Sequence, residues 1–328
     1  MKIAVIASKE KQNDIFNERG WKKLYSLGEV VINDGEASVE NVKKTIKDAD
    51  IAITSWGSVP FTEEILNEAP NLKLVVHGAG SVKPIVTDEL WAKGIRVCAS
   101  TKPLGIGVAE TALGFAISAS KNFYQVNDDI HNGGYDEHRP LTKELFDINV
   151  GVVSAGFVGR HFIKLMSNFD VNILLYDPYV TKERAEEMGC KKVEFDELLR
   201  ESDILSIHAP SIAATNKIFN KYTLPLMKKD AVLINTARGS VIDEDALYEF
   251  MKAGNLKYAC LDVFDPEPIL PENPLRTLKN VILTPHLAGL AANGLARIGL
   301  HTAEEIERFL NGTPMECEVT KAMLTTIA

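Results

Sequence analysis

The sequence predicts an α/β protein made of two doubly wound parallel-sheet domains. Short Val- and Ile-rich runs alternate with polar-faced helical stretches, in two separate series. A glycine-rich strand-to-helix turn opens the second series. A length of 328 residues also exceeds what one hydrophobic core usually serves, so about two domains are expected.

In the first series the expected strands are 2–7, 29–34, 51–56, 72–78 and 95–100. The helices between them are 14–27, 38–48, 62–69 and 87–93. Thr62 and Thr87 stand at N-cap positions, and Gly94 at a C-cap. Residues 101–107, with Pro103, Gly105 and Gly107, read as a linker. A helix at 108–122 follows, then a loop at 132–141. The second series places strands at 149–155, 172–177, 204–208, 231–236, 258–263 and 281–284. Its helices are 157–168, 182–188, 195–200 and 244–253; a last helix at 296–310 precedes an irregular tail.

Composition removes several function classes. With 36 basic against 45 acidic residues the chain lacks the cationic footprint of a nucleic-acid binder. No apolar run approaches the roughly 20 residues that span a bilayer, and the N-terminus reads as a strand rather than a leader. Cys98, Cys190, Cys260 and Cys317 are scattered without a CxxC pair. That predicts buried free thiols in a reducing, cytoplasmic setting, without a disulfide frame or a metal site.

The turn after strand 149–155 carries Ser154, Gly156 and Gly159 in the Gly-x-Gly-x-x-Gly frame, with serine at the first position. Gly156 allows close approach of backbone to pyrophosphate, and Gly159 allows close helix–strand packing. The N–H groups of Phe157 and Val158 then face the phosphates at a helix N-terminus. The other reading is a plain tight turn. Asp177, at the tip of the next strand, favours the nucleotide: its carboxylate suits the ribose hydroxyls of NAD and repels the extra phosphate of NADP.

Three charged residues follow strands of this domain, at the edge where open α/β sheets bind ligands. Arg238 precedes Gly239, and its planar fork suits a carboxylate. Glu267 lies between Pro266 and Pro268, and His286 follows Pro285. Singly, each has a plain alternative: a surface ion-pair partner, a solvated loop acid, a capping histidine. Together they match the reduction of a 2-oxo acid. That reaction needs a cation for the substrate, an imidazole to transfer a proton near neutral pH, and a carboxylate to support the imidazole.

At this point the chain resembles the D-isomer-specific 2-hydroxyacid dehydrogenase family. The shared features include Val108 to Thr111, Glu144 and Leu145, the glycine turn with Asp177, and His208 to Pro210. Asn235 to Gly239, Asp262 to Pro268 and Thr284 to His286 complete them. The resemblance implies Arg238, Glu267 and His286 as the catalytic trio, with Arg238 and His286 also holding the substrate. It implies Asp262 at the nicotinamide carboxamide, with His208, Ala209, Pro210, Thr236 and Ala237 along the cofactor, NAD. It implies a flavodoxin-like substrate domain (1–103 plus 293–328) and a Rossmann domain (104–292), hinged near 102–107 and 290–294. It also implies a homodimer through the Rossmann domains. Gly80 and Ser81 map to a loop offering N–H groups to the substrate carboxylate, and Trp56 lies beside the substrate. Because an indole carries no charge, Trp56 disfavours a phosphorylated acid. A formate enzyme would replace Glu267 by an amide. A second expectation, of another class, is an NAD(H)-sensing or corepressor-like module on the same scaffold.

Overall fold

The computed structural model describes residues 1–327. The chain divides into two compact units, Met1–Leu104 with Gly289–Ala328, and Gly105–Ala288.

The first unit opens with five strands and five helices. The strands are β1 (Lys2–Val5), β2 (Glu29–Ile32), β3 (Ile51–Thr54), β4 (Leu74–His77) and β5 (Arg96–Ala99). The helices are α1 (Lys9–Ile15), α2 (Glu18–Tyr25), α3 (Val39–Ile46), α4 (Glu63–Leu66) and α5 (Asp88–Ala92). Ser8, Asn17, Ser38 and Thr87 each cap a helix by accepting a backbone N–H, whereas Thr62 occupies its cap position without a side-chain bond. The expected single helix 14–27 is two helices, because Asn17 starts a new one by accepting from Gly20 N.

A 20-residue helix, α6 (Thr101–Ser120), then takes the place of the expected linker at 101–107. Pro103 is tolerated because the first-turn N–H groups of a helix have no intrahelical acceptor. Gly105 sits where a Cβ would meet Val158 Cγ2 at 3.3 Å. By length and composition α6 could cross a membrane, which corrects the expectation that no apolar stretch approaches that length. Ala109, Ala112, Ala116 and Ala119 line one face of it and are buried in the core of the second unit. A short helix, α7 (Phe123–His131), follows unannounced by the sequence pattern.

The second unit runs β6 (Phe146–Val153), α8 (Phe157–Met166), β7 (Asp170–Tyr176), α9 (Lys182–Glu187), β8 (Lys191–Lys192) and α10 (Phe195–Glu201). It continues with β9 (Ile204–Ile207), β10 (Ala231–Asn235), α11 (Glu244–Lys252), β11 (Leu256–Leu261) and β12 (Val281–Leu283). The chain then returns to the first unit with α12 (Ala292–Leu310) and β13 (Glu318–Val319).

Both sheets are doubly wound. In the first unit the order is β2-β1-β3-β4-β5-β13, parallel except for β13, which runs antiparallel beside β5. The tail expected to be irregular thus closes a sheet edge. In the second unit the order is β8-β7-β6-β9-β10-β11-β12, parallel throughout, and it reverses direction between β6 and β9. Every residue of β3, β4, β9 and β10 is buried, as helices on both faces of a parallel sheet require. A switch in strand order opens a crevice at the carboxyl edge, so β6 and β9 place a ligand site before any side chain is considered.

Candidate active site

At that switch point β6 ends and the chain turns into α8. Ser154 holds a left-handed backbone (φ 76°), a conformation that glycine adopts at least cost, and donates its N–H to Tyr176 O at 2.8 Å. Gly156 forms the N-cap of α8 without any side-chain cap, and a Cβ there would meet nothing within 4 Å. The helix therefore opens onto free space, with the first-turn N–H groups of Phe157 and Val158 available to an anion. Gly159 is the opposite case: a Cβ there would lie 2.0 Å from Ser154 O. One glycine leaves room for a ligand; the other allows the turn itself.

Asp177 closes the turn from β7. Its carboxylate is buried and accepts from Ala155 N and Tyr179 N, each at 2.8 Å. Each oxygen keeps a lone pair for another donor. Across the switch, His208 packs on Phe162 with ring centroids 5.1 Å apart, and its Nε2 meets Ser206 Oγ at 3.0 Å. Burial pulls this imidazole down to about 3, so it is neutral at physiological pH. Its Nδ1 is buried without a partner, and so is Thr236 Oγ1. Ala209 is buried beside His208, while Pro210 and Ala237 are partly exposed. Buried polar atoms rarely stay unpaired. One of these two follows β9, the neighbour of β6, and the other follows β10, one strand further along the same edge; both fit a bound dinucleotide.

The charged residues meet on the same sheet edge. Arg238 follows β10 and starts a short turn at Gly239. A Cβ on Gly239 would lie 2.0 Å from the Phe264 carbonyl carbon, so this turn and the loop after β11 press together. The Arg238 guanidinium donates to Ala237 O at 2.6 Å. Burial pulls its pKa down, and the charge of Glu267 opposes that fall. Glu267 lies between two cis prolyl bonds; its Oε1 accepts from Phe264 N at 2.9 Å, and its Oε2 meets His286 Nδ1 at 2.8 Å. An ionised carboxylate only accepts, so Nδ1 carries the proton toward Glu267 and Nε2 is left for a substrate. The His286 side chain is 47% exposed, which suits a group that must reach a ligand.

Asp262 holds the His286 segment. It is fully buried and accepts from Thr284 Oγ1 at 2.5 Å and from Leu287 N and Ala288 N at 2.9 Å, while its own carbonyl accepts from His286 N at 2.8 Å. Of about four acceptor positions on the carboxylate, three are used internally and one remains.

In the first unit, Trp56 follows β3 and is half-buried, and Gly80 and Ser81 lie in the loop after β4. No hydrogen bond among the described residues uses the N–H of Ala79 or of Gly80. Sequence reasoning overlooked Ala79 and its neighbours Thr54 and His77. The available signal was two polar residues ending otherwise apolar strands; they are register partners.

These features define an α/β protein of the nucleotide-binding class, with a glycine-rich turn and a Glu267–His286 pair at the carboxyl edge of one sheet. Residues 113–288 match the family model described as D-isomer specific 2-hydroxyacid dehydrogenase, NAD binding domain. The chain is 36% identical over 300 residues to a D-3-phosphoglycerate dehydrogenase of Methanocaldococcus jannaschii, covering 91% of this chain and 57% of that one. It is 31% identical over 301 residues to a glyoxylate reductase of Korarchaeum cryptofilum, covering 90% of each. Its fold matches a solved D-2-hydroxyisocaproate dehydrogenase with a TM-score of 0.81 at 23% identity, over 98% of this chain and all of that one. The chain belongs to the D-isomer specific 2-hydroxyacid dehydrogenase family, and its cofactor is NAD. It spans just over half the length of several curated relatives that it matches. The comparisons lend nothing to a nucleotide-sensing module.

Proposed function

We propose that the chain is an NAD-dependent oxidoreductase that interconverts a small D-2-hydroxy acid and its 2-oxo acid. The observation that carries this reading is the 2.8 Å pair of Glu267 and His286, beside the charge of Arg238. Arg238 holds the carboxylate and polarises the carbonyl. His286, fixed through Nδ1 by Glu267, gives the Nε2 proton to the carbonyl oxygen during reduction and takes it back during oxidation. When bound, the nicotinamide supplies or accepts the hydride at C2. Gly156, Phe157, Val158 and Gly159 would hold the pyrophosphate and Asp177 the ribose. His208 to Pro210, with Thr236 and Ala237, would lie along the dinucleotide, and the remaining acceptor of Asp262 would serve the carboxamide.

Trp56 brings bulk and one N–H but no charge, so the substrate is expected to be unphosphorylated, with its carboxylate on the loop of Gly80 and Ser81. A homodimer is the expected assembly: between residues 123 and 146 the second unit exposes Phe123, Ile130, Leu141 and Phe146. Four buried free thiols suit a cytoplasmic setting. Assaying glyoxylate, hydroxypyruvate, its 3-phosphate, pyruvate and phenylpyruvate with NADH tests the reading. Turnover of none of them rejects it; a preference for the phosphorylated acid rejects the part assigned to Trp56.

A further inference from the structure

The loop after β4 is held by an unusual buried group. His77 ends β4, and Thr54 ends β3 as its register partner; both are buried. Thr54 Oγ1 and His77 Nδ1 are 2.8 Å apart. The ring also hydrogen-bonds to the backbone of Ser81, and with Nδ1 at Thr54 the free nitrogen for that contact is Nε2. This second contact favours the protonated ring, so it is a carbonyl accepting from Nε2–H. Nδ1 is then the acceptor for the Thr54 hydroxyl, and the neutral imidazole is used at both nitrogens. Burial supports that state by pulling His77 down to about 4.

The rest of the loop is tied through its carbonyls. Ser55 Oγ donates to Gly78 O at 3.0 Å, and Ser100 N donates to Ala79 O at 3.0 Å. Gly78 N is taken by Thr54 O at 2.8 Å, and a Cβ on Gly78 would lie 2.7 Å from Ile15 Cδ1. The N–H groups of Ala79 and Gly80 have no acceptor among the described residues, although Ala79 is 1% exposed. Successive backbone N–H groups left unpaired in a turn form a concavity for an anion. Orphaned N–H groups in a buried turn are rare enough to call for a ligand.

We propose that His77 is a positioning residue for the substrate carboxylate. By holding Thr54 Oγ1 and the Ser81 carbonyl it orients the loop peptides so that Ala79 and Gly80 present their N–H groups to the anion. The inference rests on the 2-oxo acid reading above and adds Ala79 as a donor.

His77→Phe keeps a flat ring and loses both bonds. It is expected to raise KM for the 2-oxo acid about tenfold, the equivalent of one such interaction, while kcat and NADH affinity stay within about twofold. His77→Gln, which carries one acceptor and one donor, should recover part of the loss. A lower melting temperature with wild-type KM in both variants overturns the assignment. If His77→Phe does not fold, Thr54→Val decides: a raised KM supports the role, and an unchanged KM overturns it. If the wild type reduces none of the acids, the functional reading fails by itself. Calorimetry with oxamate on the NADH complex then tests the loop, and equal affinity in wild type and Thr54→Val overturns the role of His77.

Discussion

Two turns at carboxyl ends of strands, one in each unit, are held by different groups, and the difference decides what each offers a ligand. The turn after β6 is clasped by the Asp177 carboxylate, which only accepts and so consumes backbone N–H groups, those of Ala155 and Tyr179. Donors for an anion must then come from the start of α8. The loop after β4 is clasped by the His77 imidazole, which accepts a hydroxyl and donates to a carbonyl. It spends no backbone N–H, and those of Ala79 and Gly80 stay without an acceptor among the described residues. A carboxylate clasp consumes backbone N–H groups, whereas an imidazole clasp that donates to a carbonyl leaves them free.

The largest expected effect lies on the cofactor side. His286→Ala should lower kcat/KM for the 2-oxo acid by about 10²- to 10⁴-fold while NADH still binds. Steady-state kinetics with a separate NADH titration checks it, and unchanged turnover removes His286 from the chemistry. Glycine substitutions sharpen the contrast between the turns. Gly159→Ala would put a Cβ 2.0 Å from a backbone carbonyl, and should cost more than about 3 kcal/mol by urea unfolding. Gly80→Ala meets only the tip of Leu104 at 3.0 Å and should cost under about 1 kcal/mol. Gly156→Ala meets nothing, so it should leave unfolding unchanged and weaken NADH by about tenfold. Equal losses in all three would show that the space around each glycine is not what matters.

A neutral histidine stands beside each turn: His77, buried, at about 4, and His208, half-buried but with its ring desolvated, at about 3. Both values lie below the ordinary 6.5, so the unfolded chain binds more protons. Stability is then full above about pH 6.5. It should fall by about 1.4 kcal/mol per pH unit for each imidazole as pH drops toward the folded values. Urea unfolding between pH 7 and 5 reads the slope, and His77→Phe should remove one imidazole's share; a flat profile would contradict the desolvation of both rings. Asp177→Ala should relax the NADH preference about tenfold and, unlike a residue that touches only ribose, also loosen the turn. The smallest change is Ser154→Gly, which relieves a positive φ and should stabilise by about 0.5–1 kcal/mol.

Much of this molecule was legible in order along the chain. Every strand of four or more residues was expected within a few positions, because apolar runs between turn residues signal a parallel sheet directly. Local composition misled where a residue's cost depends on its place. Pro103 and Gly105 look like helix breakers, yet they cost little in a first turn and at a close contact with Val158. The strand β13 was missed because its two residues carry no periodicity and are recruited by the exposed edge of β5.

By itself, then, the sequence determined the alternation of strands and helices, the glycine turn and the identity of the charged residues, since each depends on neighbours in the chain. Only the tertiary structure decided that Glu267 Oε2 meets His286 Nδ1, that Asp262 is spent on holding the His286 segment, and that the N–H groups of Ala79 and Gly80 find no acceptor among the described residues. Those facts depend on atoms about 20 residues apart or more, or on the peptide orientations of one loop. A hydrogen bond forms only within a few tenths of an ångström, a tolerance that residue types do not encode and packing does.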